Sequence, residues 1–172
     1  DKQNPKAFHG IAWNLYVMND VEESLSWIKR GLTLFPDDGN LLFTFVWICM
    51  ARGDIKRAEV ALSNLPEGLV EDPLWVAVRS RLFTQTGNFD QALGMAEQLI
   101  KQDKSNMQAL GYYQMGRILM EMNSPIEAIH HFREASQLNS GWKDPLFFEG
   151  VCHMVDGRIE MMLDCWNKLN LT

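Results

Sequence analysis

Hydrophobic residues along the chain recur at helical spacing, in stretches of about a dozen residues separated by short polar turns. Three stretches carry apolar residues at i, i+3 and i+7: Phe8, Ile11 and Leu15; Leu42, Phe45 and Cys49; Tyr112, Met115 and Leu119. This spacing places the apolar side chains on one face of an α-helix. The pattern therefore predicts an all-α chain of amphipathic helices.

Five similar hexapeptides separate these helices at a nearly constant distance. They are NDVEES at 19, GDIKRA at 53, GNFDQA at 87, NSPIEA at 123 and GRIEMM at 157, so successive turns begin 34, 34, 36 and 34 residues apart. Each begins with Gly or Asn, which suits the left-handed residue that ends a helix. Asp20, Asp54, Asn88 and Ser124 follow as predicted N-caps, and Ser124 to Glu127 reads as a capping box with Pro125 at the first helical position. Each hexapeptide thus predicts the turn of a helical hairpin.

Small side chains recur on both sides of the turns. They are Ser24, Ala58, Ala92 and Ala128 in the second helices, and Ala12, Ser80, Gly116 and Gly150 in the first helices. Paired small residues let two helices pack closely. The predicted hairpins cover residues 5–38, 39–72, 73–108, 109–142 and 143–172, and Pro66 is expected to shorten the second helix of the second hairpin.

With these features the chain resembles the tetratricopeptide repeat family, whose unit is a helix-turn-helix of 34 residues. The family's landmarks are matched by GNFDQA together with Gly116, Ala128 and Pro36. The resemblance implies a right-handed superhelical solenoid of about five hairpins. It implies one domain over residues 1–172, which we expect to be a piece of a longer protein because no Met stands at position 1.

The segment LLFTFVWICMA, residues 41–51, is the most hydrophobic part of the chain. It is too short to cross a bilayer, which takes about 20 apolar residues. We assign it to the first helix of the second hairpin, where Leu42, Phe45, Val46 and Cys49 account for packing against other helices. Phe43, Trp47 and Met50 then form a second apolar stripe that needs its own cover.

In the tetratricopeptide repeat family, these first-helix positions line a concave groove that binds peptides. The resemblance therefore implies an aromatic, Met-rich groove. Its residues are Trp13, Tyr16, Phe43, Trp47, Met50, Leu74, Arg81, Tyr113, Arg117, Met120, Phe147, Phe148, Val151 and Met154. Such a groove suits a non-enzymatic interaction module, an adaptor, chaperone or scaffold, whose partner is a protein or peptide with an apolar segment.

Some family members instead clamp a carboxylate with Lys, Asn and Arg. This chain has His9, Trp13, Thr44, Leu74 and Val78 at those places, so the clamp is not expected. Arg81 and Arg117 remain as candidates for holding one acidic group, or as ordinary ion-paired surface residues.

A second interpretation gives the apolar stripe a different cover. The chain is then a structural or regulatory segment of a larger multidomain protein, and the stripe packs on its own chain or on a second subunit in a homo-oligomer. Large exposed apolar patches mark interaction sites in general, so both interpretations predict a contact at this surface.

Composition narrows the class of partner and chemistry. The formal net charge of -6 and the pI near 5.2 argue against nucleic acid. Three unpaired cysteines favour a reducing, cytoplasmic compartment.

No nucleotide-binding, hydrolase or metalloprotease motif occurs, so we expect neither an enzyme nor a cofactor. His130 and His131 diverge on a helix. Cys152, His153 and Cys165 offer at best three zinc ligands, and no metal site is predicted there.

Overall fold

The computed structural model describes the backbone of residues 4–170 and the side chains of residues 4–169, which form eleven α-helices and no strand. The helices are α1 (Pro5–Val17), α2 (Val21–Leu34), α3 (Gly39–Ala51), α4 (Ile55–Ser63), α5 (Glu67–Val70), α6 (Pro73–Gln85), α7 (Phe89–Ile100), α8 (Ser105–Glu121), α9 (Pro125–Leu138), α10 (Lys143–Val155) and α11 (Ile159–Asn170). The predicted all-α class is confirmed.

Ten of these helices pair into five hairpins, α1/α2, α3/α4, α6/α7, α8/α9 and α10/α11. The residue that opens each predicted turn has a positive φ: Asn19 (66°), Gly53 (73°), Gly87 (75°), Asn123 (60°) and Gly157 (76°). Because L-residues other than Gly and Asn rarely adopt this conformation, the first letter of each hexapeptide ends one helix and allows the next to begin.

All four predicted residues occupy the N-cap position, and the side chain makes the capping bond in two of them. Asp20 Oδ1 accepts a hydrogen bond from the backbone N–H of Glu23, and Asp54 Oδ1 accepts one from Arg57. Asn88 instead donates its side-chain amide to Thr86 Oγ1 at 2.9 Å, and Ser124 makes no side-chain capping bond. The capping box predicted at Ser124 is therefore wrong, although Pro125 does occupy the start of α9.

The small residues hold paired helices close together, as predicted. Ser24 Oγ donates to the Ala12 carbonyl at 2.6 Å, and Ser80 Oγ donates to the Ala92 carbonyl at 3.0 Å. A Cβ added to Gly116 would lie 2.7 Å from the ring of Phe132. Only a small residue at these places leaves space for the facing helix.

The chain divides into two compact units, Asp1–Trp75 and Val76–Thr172, with the boundary inside α6. In unit 1, Phe8, Ala12, Ile28 and Leu41 form one buried apolar cluster. Unit 2 has three such clusters, whose central residues include Phe132, Leu99 and Ile118. Each unit thus has its own core.

Helix α3 is packed on more faces than the sequence suggested. Leu41, Thr44 and Ile48 form a fully buried face that the sequence pattern did not single out. Val46, Cys49 and Met50, on other sides of the helix, are also at most 2% exposed. Burial on several faces explains why this stretch is apolar all round.

Pro66 shortens the second helix of the second hairpin, as predicted. Helix α4 ends at Ser63, and Pro66 opens the four-residue helix α5. None of the helices within residues 4–170 combines the length and the apolar character that a membrane crossing requires.

Candidate functional site

Four aromatic side chains on the first helices of unit 1 are partly exposed, and we call them the unit 1 aromatic surface: Trp13, Tyr16, Phe43 and Trp47. Trp13 and Tyr16 lie one turn apart on α1 with ring centroids 5.8 Å apart. Phe43 and Trp47 stack on α3 at the same distance, with their planes 24° apart. Since α1 packs on α3, both aromatic pairs belong to the same layer of first helices.

Contacts below this surface keep its rings in place. His9 Nδ1 and Thr44 Oγ1 lie 2.9 Å apart and join α1 to α3, and the His9 ring lies 6.4 Å from that of Trp13. Phe43 also packs edge-on against Trp75, which is 2% exposed. One ring of each pair thus has a supporting contact within unit 1.

The remaining predicted residues of unit 1 behave differently. Met50 is 2% exposed, so it is part of the packed interior and does not line an open surface. The sequence analysis had placed Met50 in the open apolar stripe of α3 with Phe43 and Trp47. Leu74, by contrast, is 47% exposed at the start of α6.

In unit 2, Arg117 is the centre of an aromatic cluster. Its guanidinium carbon lies 4.2 Å from the ring centroid of Phe148, and its Nη1 donates to the Tyr113 hydroxyl at 3.2 Å. Tyr113 in turn packs against Trp142, with ring centroids 4.5 Å apart. Cation–π contact and this hydrogen bond together fix the guanidinium between two rings.

Other predicted residues of unit 2 range from half-buried to exposed. Met120 and Phe148 pack against the buried cluster around Phe132, and Val151 is half-buried. Phe147 and Met154 are each 45% exposed. Phe147 stacks on Trp166 with planes 14° apart, so its exposed ring is also supported from α11.

Arg81 and Arg117 line the same small cavity of unit 2, about 70 Å³ in volume. Its other lining residues are Thr84, Gln85, Tyr113, Gln114 and Glu121. The structure thus brings together the two arginines that the sequence suggested for an acidic group. It also adds the Glu121 carboxylate, which opposes the binding of a second negative charge.

A larger open cavity of about 770 Å³ in unit 1 was not predicted. It is mostly apolar, and its lining residues are Ala7, Phe8, Ile11, Trp27, Arg30, Thr33 and Leu34. Sequence reasoning assigned Phe8 and Ile11 to the hairpin interior, yet Ile11 is 39% exposed. Leu34, which is 54% exposed and lies on the same face of α2 as Trp27, was the available signal.

Unit 2 also contains one buried group of possible metal ligands among the described residues: Glu149, His153 and Cys165. The sequence analysis considered Cys152 with His153 and Cys165, whereas the structure groups Glu149 with His153 and Cys165. Glu149 lies one helical turn before His153 and therefore shares its face of α10, whereas the adjacent Cys152 points elsewhere. Burial raises the pKa of Cys152 to about 11, which marks it as an inert buried thiol.

Comparison with known proteins identifies the fold. No protein-family model and no curated protein matches the sequence. Among solved structures, a thermophilic tetratricopeptide repeat protein of Thermus thermophilus is similar over 96% of this chain and 89% of its own, with a TM-score of 0.80 and 15% identity.

Two further structures give the same result at similar identity. The Cut9–Hcn1 hetero-tetramer of the APC/C matches with a TM-score of 0.76 and 15% identity, over 96% of this chain but 33% of the other. YrrB, described as a tetratricopeptide repeat protein with an unusual peptide-binding site, matches with a TM-score of 0.57 and 15% identity, over 98% of this chain and 86% of its own. The protein therefore has the helical-hairpin fold of tetratricopeptide repeat proteins.

Proposed function

We propose that the protein is a non-enzymatic interaction module that binds an apolar helix or extended peptide of another protein on the unit 1 aromatic surface. The observation that carries this proposal is the pair of supported aromatic contacts, Trp13 with Tyr16 and Phe43 with Trp47, left partly open to solvent on neighbouring helices. Rings exposed in this way lower the solubility of a protein unless a partner covers them. Clustered aromatic side chains are also typical binding hot spots.

The chemistry of the surface favours an apolar partner segment. The Trp13 ring packs against His9 and the Phe43 ring against the buried Trp75, so holding these two side chains on binding costs less side-chain entropy. Charged groups are not part of the set, which leaves shape and apolar contact as the main source of affinity. YrrB, which shares the fold, is described as having a peptide-binding site, and this supports the same class of ligand here.

The exposed residues of unit 2 provide a second contact surface in this proposal. Phe147 and Met154 are two of the exposed apolar side chains of α10, and Arg117 is held against Phe148. Pliable Met and rigid aromatic side chains together accept varied apolar sequences.

The experiment compares the native chain with Trp13→Ala/Trp47→Ala. Each protein is immobilised, partners are captured from a lysate of the source cells, and short peptides from the captured proteins are then titrated by isothermal calorimetry, whose signal does not depend on the removed Trp side chains. Losing two anchors is expected to weaken peptide binding at least tenfold, since each hot-spot side chain contributes more than about 1 kcal/mol.

The matched control is Val60→Ala. Val60 is an apolar side chain on α4 that is 61% exposed and lies outside the aromatic surface. The proposal requires that this variant binds like the native chain and that all three proteins have the same far-UV circular dichroism. Unchanged peptide affinity in the folded double variant would remove the aromatic surface as the binding site.

A further inference from the structure

The last hairpin contains a set of buried donor atoms that the proposed interaction surface does not use. Glu149 and His153 lie one turn apart on α10, and Cys165 faces them from α11. One donor atom from each lies within 4.8 Å of the other two, and the three residues are 6%, 1% and 5% exposed. We propose that Glu149, His153 and Cys165 bind one Zn²⁺ ion that joins α10 to α11. This proposal does not rest on the proposed function.

The repeat itself shows that the fold does not need donor atoms at these positions. The five turns align the hairpins, and the place of Glu149 is then taken by Ile11, Phe45, Arg79 and Met115. The place of His153 is taken by Leu15, Cys49, Phe83 and Leu119, and that of Cys165 by Trp27, Ala61, Met95 and His131. No other hairpin has Cys, His, Asp or Glu at more than one of the three places. The fifth hairpin alone replaces a mainly apolar contact with three converging donors.

One of these buried polar groups lacks a hydrogen-bond partner among the described residues. Arg133 Nε, from α9, donates to Glu149 Oε1 at 2.7 Å, and His153 Nε2 lies 3.5 Å from the same oxygen. His153 Nδ1 is buried and has no hydrogen-bond partner in the part of the chain that the structure describes. A buried imidazole whose nearest polar partner is 3.5 Å away is weakly held, and a metal bond to one of its ring nitrogens gives it a strong partner.

The donor set selects the metal. One imidazole nitrogen, one thiolate sulfur and one carboxylate oxygen are the three ligand types that Zn²⁺ accepts, whereas Mg²⁺ and Ca²⁺ prefer oxygen alone. Two ligands at i and i+4 on a helix share one face, which is the spacing that helical zinc sites use. Three protein ligands leave the fourth tetrahedral position for a water molecule.

The hydrogen bond to Glu149 and the charges of the three ligands are also compatible with Zn²⁺. The bond from Arg133 orients the Glu149 carboxylate, as the outer partner of a metal ligand does. Zinc binding releases the proton of the Cys165 thiol, and the resulting thiolate and the Glu149 carboxylate neutralise the two charges of the ion.

The test uses the 172-residue chain, stripped of metal with a chelator and titrated with Co²⁺ as a spectroscopic substitute for Zn²⁺. The expected result is a thiolate-to-cobalt charge-transfer band that saturates at one equivalent and disappears when Zn²⁺ displaces the cobalt. Zinc at about 100 times its Kd should also raise the Tm by roughly 5–10 °C, because only the folded chain holds the three ligands together.

Two variants locate the ligand. Cys165→Ser should abolish the band, whereas Cys152→Ser should keep it, because Cys152 is equally buried on the same hairpin but lies outside the ligand set. The absence of a saturable band in the native chain overturns the proposal, and so does a band that survives in Cys165→Ser or is lost in Cys152→Ser.

A second measurement covers the case in which Cys165→Ser does not fold. X-ray absorption at the zinc edge of the native chain should show one sulfur ligand at about 2.3 Å beside nitrogen and oxygen ligands near 2.0–2.1 Å. A shell of oxygen and nitrogen alone means surface-bound zinc and overturns the site. Peptide binding by the unit 1 aromatic surface is measured separately, so either proposal can fail without the other.

Discussion

Gly150 controls how closely the two helices of the last hairpin approach. A Cβ built on this residue would lie 2.4 Å from Nε1 and 2.7 Å from Cδ1 of the Trp166 ring. Because a carbon atom does not fit at these distances, Gly150→Ala must move the indole, which also stacks on Phe147. We expect Gly150→Ala to lower the free energy of unfolding by about 1–3 kcal/mol, measured by urea denaturation.

The same substitution at Gly94 is the control. Gly94 lies within α7 in the same unit, and an added Cβ there meets no atom within 4 Å. Replacing a helical Gly by Ala in open space gains up to about 1 kcal/mol of helix propensity. If Gly150→Ala lowers the free energy of unfolding and Gly94→Ala raises it, the loss at position 150 is due to the indole contact. An equal loss of stability in both variants would contradict this explanation.

At the scale of a single element, α3 shows which part of a helix carries stability. Ile48 is fully buried, while its neighbour Trp47 is only partly buried and belongs to the unit 1 aromatic surface. Ile48→Ala removes packed methylenes and is expected to cost about 2–5 kcal/mol. Trp47→Ala should cost less stability but most of the partner binding. Urea denaturation of both variants checks the order, and a larger loss for Trp47→Ala would mean that its ring is a core residue.

Helix α3 also shows which feature the sequence could not predict, namely which of its faces are buried. A stretch that is apolar on every side predicts a helix, but its periodicity does not tell which face meets which neighbour. Met50 was assigned to an open groove and is buried, and the face of Leu41, Thr44 and Ile48 was overlooked. The turns were predictable because Asn19, Gly53 and their equivalents must adopt a positive φ, which limits the residue type.

The sequence also did not predict the side-chain contacts between residues that are far apart along the chain. The bond between Arg133 and Glu149 and the approach of Cys165 to His153 depend on how α9, α10 and α11 pack. No local rule of spacing predicts them. Glu149 and His153 share a helix face by their i, i+4 spacing, so this half of the ligand set could have been found from sequence.

Across the whole molecule, the hairpins are not equally well formed, although they share one repeat. Helix α4 has nine residues, of which Ala58 and Leu62 are buried, and the four-residue α5 has no buried residue. Helices this short are marginal without packing, since isolated helices need about 12–15 residues. By contrast, α8 has seventeen residues and packs along α9.

This difference predicts the order of local opening. In native-state hydrogen exchange followed by mass spectrometry, the amides of α4 and α5 should exchange first and those of α8 and α9 last, because local opening costs less where few apolar side chains are buried. A peptide bound to the unit 1 aromatic surface should slow exchange in α1 and α3 but not in α8 and α9. Exchange of α4 and α8 at the same rate would indicate that the chain opens in a single cooperative step and that helix length does not decide local stability.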